Sequence, residues 1–429
     1  MKNTVKIRPS RILWACPYCL LDTSSGCSMS CRDLLRQLKG HGIDVYILSS
    51  TVFDRENGAL LLRDHWDMLQ KNCGKMIDVE DGDLVHHIIP VKSTDRYSMT
   101  CREEGTFYAY FIQALNTFKP DLYYFYGGQI LEMILAAEAA ERKVPVAAYL
   151  ANGEYSEARW CRDVDVVLTG SRATAEMYFK KDGYRPIPIG SPISHERVLA
   201  DVHTRQHVLF INPSPSKGSY IVATLAYMLE KNRPDIIFEV VESRAQWKDS
   251  VQSVTEALGD PREELSNVIV IQHTSDIKSV YGRARLTLLP SLWWENYART
   301  AIESMVNGIP CIVSDRGGLP EAIQGAGLVV TFPEECYKPP YTTFVRPESL
   351  TGITDFIEKC FDDPAYYQLY VSKAQAVGRS HKEDGTMKAF LTAVKHLLKK
   401  RAGDKIYTIQ KSDSHKEEKN SLCDTKSVP

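Results

Sequence analysis

The chain has almost no net charge: 52 lysines and arginines stand against 54 aspartates and glutamates in 429 residues. A balance of −2 excludes binding of nucleic acid through bulk charge and leaves function to a local site. Long apolar runs are scarce as well. The most apolar stretch, LYYFYGGQILEMILAAEAA from Leu122 to Ala140, is broken by Gly127-Gly128, Glu132 and Glu138, so it reads as strand, turn and helix and not as a membrane span. Near the N-terminus, Arg8, Pro9 and Arg11 interrupt the apolar core that a secretory leader requires. The expectation is a cytoplasmic chain. Basic residues in RDLLRQLK and KHLLKKR leave room for peripheral contact with the inner face of an anionic membrane, although a solvated helix face explains each more simply.

A disulfide framework is not to be expected either, because the eleven cysteines are odd in number and scattered. Cys16, Cys19, Cys27 and Cys31 do form a C-x2-C-x7-C-x3-C pattern, a spacing open to zinc or redox chemistry. The structural reading outweighs it: RILWA is a strand, TSSGCS a turn and SMSCRDLLRQLKGHG a helix, and such a turn takes small residues. No metal site and no cofactor are expected.

What the chain does have is alternation. Apolar runs at IDVYILSS, DLYYFY, VPVAAYL and VDVVLTGS in the first half, and at HVLFIN, IIFEVV, NVIVIQ, LTLLPS, IPCIVSD and GLVVT in the second, are separated by amphipathic helical segments. Continuous apolar runs mark strands covered on both faces, hence parallel sheets in a doubly wound α/β arrangement. With 44% apolar residues the length supports two such domains. The break falls in YRPIPIGSPISHERVLADVHTRQ, where Pro186, Pro188 and Pro192 interrupt regular structure. The expected layout is a first domain over 1–195, a second over 200–380, a helix at about 383–402 (TMKAFLTAVKHLLKK) with one packed face, and a disordered polar tail over 403–429. The stretch FDRENGALLLRDHWDMLQKNCGKMIDVEDGDLVHH reads as a long irregular excursion.

Three loop-to-helix transitions carry candidate chemistry. In LPSLWWENYARTAIESMVNGIP, a strand runs into a loop holding Glu295, and a helix follows with Glu303 on its second turn and Asn307-Gly308 at its end. The two carboxylates lie up to about 12 Å apart along a helix, too far to share a proton and well placed to hold two ends of an elongated ligand. Between them, the N–H groups of Ala298, Arg299 and Thr300 offer a phosphate seat at the positive end of the helix dipole. In HVLFINPSPSKGSYIVATLAYML, Lys217 follows a strand and Gly218 lets backbone approach closely, although the P-loop spacing is absent. In SDRGGLPEAI, Gly317-Gly318 and Glu321 form a third turn on the same rim.

These elements in this order resemble the family 4 glycosyltransferases of GT-B architecture, and the resemblance spans nearly the whole chain. Its most specific part is LPSLWWENYARTAIESMVNGIPCIVSDRGGLPEAI, where Glu295 and Glu303 match the family's E-x7-E signature. The resemblance implies two Rossmann-like domains facing a central cleft, with the C-terminal helix crossing back to the first. It implies a retaining transfer of sugar from a nucleoside diphosphate sugar to an acceptor hydroxyl, with no metal required. Catalysis would fall to Glu295, touching the sugar, and Lys217, neutralising the diphosphate. Donor binding would fall to Glu303 at the ribose, to Asn212 and Gly218, to the backbone of Asn296, Tyr297, Ala298, Arg299 and Thr300, and to Gln272, His273 and Thr274 at the base. Ser25, Gly26 and Asn152 would lie on the acceptor side.

Two positions depart from the family pattern. Asn212 stands where relatives commonly have arginine, so one diphosphate cation is missing or comes from elsewhere, and Ala151-Asn152 replaces a common histidine. Asn152 can replace a histidine's hydrogen bonds but not its charge, and a turn role suits it equally. Two other readings therefore stand beside the transferase: a GT-B protein that binds nucleotide sugar without turnover, and a nucleotide-sugar epimerase. The acceptor, whether sugar, lipid-linked glycan or small molecule, is not written in the sequence.

Overall fold

The computed structural model describes residues 4–7, 10–398 and 407–410. The first body opens with β1 (Thr4–Ile7), β2 (Arg11–Ala15), α1 (Gly26–Gly40), β3 (Asp44–Ser50), α2 (Trp66–Lys71), β4 (Ile77–Asp81) and β5 (Leu84–Ile89). It continues through α3 (Cys101–Thr117), β6 (Leu122–Tyr126), α4 (Ile130–Glu141), β7 (Val146–Tyr149), β8 (Val166–Thr169), α5 (Arg172–Asp182) and β9 (Ile187–Pro188). After α6 (His195–Val198), the second body comprises β10 (His207–Ile211), α7 (Ser219–Glu230), β11 (Phe238–Val241), α8 (Trp247–Ala257), β12 (Val268–Ile271), α9 (Ile277–Arg283) and β13 (Ala284–Leu289). It ends with α10 (Arg299–Val306), β14 (Cys311–Ser314), α11 (Leu319–Ile323), β15 (Gly327–Val330), α12 (Thr351–Asp362) and α13 (Pro364–Ser380), followed by α14 (Gly385–Val394) and β16 (Tyr407–Gln410).

Every expected apolar run forms a strand, and the strands build two sheets. The first has the order β4-β5-β3-β2-β6-β7-β8-β9, parallel apart from the antiparallel edge pair β4/β5. The second, β12-β11-β10-β13-β14-β15, is parallel throughout. In each sheet the strand order reverses once, at β2/β6 and at β10/β13. Crevices open at the carboxyl ends of strands at such switch points.

Helices cover both faces. Ile12, Trp14, Tyr124 and Leu168 pack under α1 and α14, whose Met387, Phe390 and Leu391 lie in this first core. Leu13, Tyr123, Phe125 and Ala148 pack on the opposite face against α3 and α4. The second sheet is enclosed in the same way by α7, α8 and α12 on one side and α10, α11 and α13 on the other. Ile193 and Val198 already belong to the second core, whereas β9 still extends the first sheet, so the chain crosses between them. Short β16 pairs antiparallel with β1. The expected C-terminal helix appears as α14 up to Val394; residues 399–402, and the expected tail apart from Tyr407–Gln410, lie outside the described residues.

Two sequence readings need correction. The excursion after Phe53 is not irregular: a helical turn and α2 lead into the β4/β5 hairpin, which adds two strands to the first sheet. Its two-residue loop, Gly82-Asp83, has Gly82 at φ +65°, the backbone state that such a tight hairpin requires. Helix α1 also starts earlier than expected, at Gly26, because the Ser25 side chain caps it by accepting the Ser28 N–H. Among the described residues, no helix is long and apolar enough to cross a membrane.

Candidate functional site

Lys217 and Glu295 stand on the loops that follow β10 and β13, the two strands at the switch point of the second sheet. The loops are stitched together. The Ser216 carbonyl accepts the N–H groups of Leu292 (2.9 Å) and Trp293 (3.0 Å). Gly218, at φ +83°, packs so closely on the Pro290 carbonyl that a Cβ there would collide with it. From the neighbouring strand end, the Gly318 N–H donates to the Glu295 carbonyl at 2.8 Å, and Gly317, at φ +60°, has no room for a side chain against that residue's backbone. Glu295 is therefore fixed at its main chain from two sides. Its carboxylate pairs with the Lys217 ammonium and accepts the Ser291 hydroxyl at 2.7 Å.

Glu303 sits in α10 with a different set of partners. The Tyr281 hydroxyl and the Arg299 Nε each donate to it at 2.6 Å. Arg299 reaches on to Asp33 of α1 at 2.8 Å and to the Pro192 carbonyl at 3.2 Å, so the carboxylate is tied to the first domain. Burial raises the Tyr281 hydroxyl well above its ordinary range, with the Glu303 charge adding to it, so the phenol keeps the proton it donates. Ala298 precedes the helix at φ +29°, and among the described residues no side chain caps that end. Besides Ala301, Ile302 and Met305, the helix also buries Glu303 and Ser304, a fuller enclosure than its apolar stripe predicts.

Two cavities flank these groups. One, of about 620 Å³, runs over the second sheet past Phe210, Val241, His273, Thr274, Ile277, Thr300 and Glu303. The other, of about 610 Å³, lies on the first-domain side among Tyr18, Ser25, Tyr97, Tyr126, Asn152, Tyr155, Trp160, Asn296 and Tyr297. Gly26, Asn212, Lys217, Arg244, Glu295, Ala298 and Arg299 line both. The Lys217–Glu295 pair thus stands on the boundary between two ligand-sized spaces.

Across that boundary the domains are joined by specific contacts. The Asn296 side chain is buried, accepting the Thr169 hydroxyl (2.8 Å) and the Gly170 N–H (2.9 Å) while donating to the Leu150 carbonyl. Glu321 accepts the Arg172 and Ala173 N–H groups at 3.0 and 3.3 Å, capping α5 from the other domain. Thr23 and His273 meet at 3.0 Å, and burial, with Arg63 nearby, lowers the pKa of that imidazole. The Arg244 guanidinium donates to the Ser24 carbonyl (2.9 and 3.1 Å) and to Asp54 (2.6 Å).

The model of the family described as glycosyl transferases group 1 matches residues 212–335, the segment that carries both loops, α10 and the Gly317-Gly318 turn. Spore coat protein SA of Bacillus subtilis (strain 168) is 27% identical over 127 residues, which is 29% of this chain and about a third (34%) of that protein's length. A glycosyltransferase from Rickettsia africae ESF-5 superposes with a TM-score of 0.63 at 14% identity, over 92% of this chain and 100% of that one. Anabaena Alr3699/HepE, solved in complex with UDP and glucose, gives a TM-score of 0.62 at 14% identity over 90% and 99%. The fold is GT-B.

Within this GT-B frame the expected site residues divide into groups. Lys217, Glu295, Glu303, Asn212, Ala298, Arg299, Thr300, His273 and Thr274 gather around the second-domain cavity. Ser25, Gly26, Asn152, Asn296 and Tyr297 line the first-domain cavity, where Asn152 accepts the Glu154 N–H in a tight turn. Gly218 lies behind the rim against Pro290, and the Gln272 side chain turns away to Glu242 at 2.9 Å. The four clustered cysteines are free thiols; Cys16 donates to the Tyr126 carbonyl, and the described residues hold no group of three or more His, Cys, Asp or Glu suited to a metal. Sequence reasoning missed Asp33, Tyr281, Asp54 and Arg244. Arg244 had a usable signal, since it follows β11 at the carboxyl edge of a parallel sheet, where GT-B and other doubly wound folds place their ligands.

Proposed function

We propose that this chain is a retaining glycosyltransferase that moves a sugar from a nucleoside diphosphate sugar to an acceptor hydroxyl. The observation that carries the reading is the Lys217–Glu295 pair on the boundary between two cavities, where a reacting anomeric carbon would meet both substrates. The second-domain cavity takes the nucleotide: Glu303 accepts ribose hydroxyls, the segment around His273 and Thr274 faces the base, and the N-terminus of α10 receives the diphosphate. The UDP bound by HepE and the group 1 match over this segment support that choice of donor. Tyrosine and tryptophan faces in the other cavity suit an acceptor that presents hydroxyls around a ring.

In this mechanism the anomeric carbon–oxygen bond breaks and the nucleoside diphosphate leaves with the electron pair. The acceptor oxygen bonds to the anomeric carbon on the same face, and its proton passes to a phosphate oxygen. Lys217 meets the charge that grows on the leaving group, and Glu295 is released to accept sugar hydroxyls. Such a reaction serves synthesis of a glycan, glycolipid or glycoconjugate in the cytoplasm. A binding-only reading draws on two observations, that Asn212 is neutral and that Lys217 already has a carboxylate partner.

Thermal unfolding with UDP, GDP and ADP, each alone and as its glucose derivative, tests the assignment. A ligand at 100 times its Kd stabilises by about 2.7 kcal/mol, enough to raise the midpoint by several degrees. No shift with any of them removes the transferase reading; a shift without consumption of donor in the presence of saccharide acceptors favours the binding-only one.

A further inference from the structure

A departing nucleoside diphosphate carries more charge than one lysine offsets, and Lys217 is already paired with Glu295. Among the described residues, three cationic side chains line both cavities: Lys217, Arg244 and Arg299. Arg299 is committed, since its side chain is 12% exposed between Asp33 (2%) and Glu303 (10%), and withdrawing it would strand the buried Glu303 carboxylate and leave Asp33 with the more distant Arg197, at 3.8 Å. Arg244 is free to change partners. Its side chain is 34% exposed and that of Asp54 29%, and partly exposed ion pairs of this kind contribute little.

The backbone places Arg244 where a diphosphate would lie. Its N–H donates to the Asn212 side chain at 3.3 Å, and Asn212, at φ +66°, directly follows β10 at the switch point. Its Nε and Nη2 point together at the Ser24 carbonyl, at 3.1 and 2.9 Å, with Nη2 also on Asp54. That planar fork is the geometry that grips two phosphate oxygens.

We propose that Arg244 is the second cation for the donor's diphosphate, and that Ser24 and Asp54 of the first domain hold its guanidinium until the diphosphate displaces them. This rests on the donor class proposed above. The exchange is non-covalent: two N–H donors pass from a carbonyl and a carboxylate to phosphate oxygens. Asn212, which brings no charge itself, acts by fixing the main chain of the residue that does. Donor arrival then also unhooks one link between the domains.

Calorimetric titration of the full chain with UDP and uridine, GDP and guanosine, and ADP and adenosine identifies the pair to use. With that pair, Arg244→Gln weakens the diphosphate by about 10- to 100-fold and leaves the nucleoside within about twofold, the size expected for hydrogen bonds to a charged group. Arg244→Lys recovers part of the loss, and Asp54→Asn, which removes the charged one of the two groups holding the guanidinium, tightens the diphosphate. An unchanged ratio of diphosphate to nucleoside affinity in Arg244→Gln overturns the proposal, whether both affinities stay put or both fall together, as a mere domain link would have it. Failure of wild type to bind any of the three diphosphates removes the donor reading itself and this inference with it.

Discussion

Two arginines of the second domain reach across to the first, and they do so in opposite ways. Arg299 is buried and bridges Asp33 to Glu303, its charge met on both sides. Arg244 lies at the cleft's edge, on a carbonyl and one partly exposed carboxylate. Burial raises the cost of leaving an ion unpaired far more than it raises the net value of the pair. The Arg299 link is therefore a structural hinge-pin that also holds the proposed ribose clamp, whereas the Arg244 link is one that a ligand can take over. Glu295, which lines both cavities, is tied by its carboxylate to Lys217 and Ser291 of its own domain.

Breaking the tight link has the largest expected effect. Arg299→Ala leaves Glu303 buried without its cation and Asp33 with the more distant Arg197, at 3.8 Å, and costs about 3–5 kcal/mol, read as a lowered urea midpoint. A loss below about 1 kcal/mol would place Arg299 with Arg244 and erase the distinction. Next comes Glu295→Gln, which touches neither link. Turnover falls by about 100- to 1,000-fold, as for removal of one preorganised polar contact to a reacting centre. The unfolding midpoint stays within about 1 kcal/mol of wild type, because Lys217 keeps access to solvent. Equal damage to stability and turnover would show that Glu295 is scaffold.

How much of this was legible depended on whether one element or two had to be read. Continuous apolar runs such as VLFI and LTLL specified the parallel strands, and Lys217 and Glu295 could be placed on loops because each directly follows such a run. Group 1 similarity falls on the segment that carries both loops, residues 212–335. Partners across the cleft were not legible. Nothing in local periodicity connects Arg299 with Asp33 or Glu321 with the first turn of α5, since a helical or strand repeat says which face is covered and not by what. Asn296 shows the cost of this: in sequence its backbone drew attention, while its side chain proves to be the buried bolt between Leu150 and Gly170. The β4/β5 hairpin was a different kind of miss, because its Gly-Asp loop was in plain view within a stretch judged by its irregular remainder.

The loose link has its own foundation, and its effect depends on pH. Asp22 is buried beneath it and accepts the Ser24 N–H (2.7 Å), the Ser24 hydroxyl (2.6 Å) and the Asp54 N–H (2.7 Å), which positions both residues that hold Arg244. Burial raises its pKa from 3.8 to about 6, outweighing those hydrogen bonds, which act to lower it. A carboxyl whose folded pKa exceeds its unfolded one binds its proton more tightly in the native state. Its contribution is thus fully present below about pH 4 and is lost as pH rises to about 6, a change of about 3 kcal/mol for a shift of this size. Asp22→Asn removes the titration but keeps an oxygen able to accept from Ser24. The stability difference between wild type and Asp22→Asn, measured by urea unfolding from pH 4 to 7, therefore moves by about 3 kcal/mol in favour of the variant. A difference that stays flat over that range would mean that burial does not raise the Asp22 pKa above its unfolded value, and at neutral pH the loose link would then rest on a charged support as firmly as the tight one does.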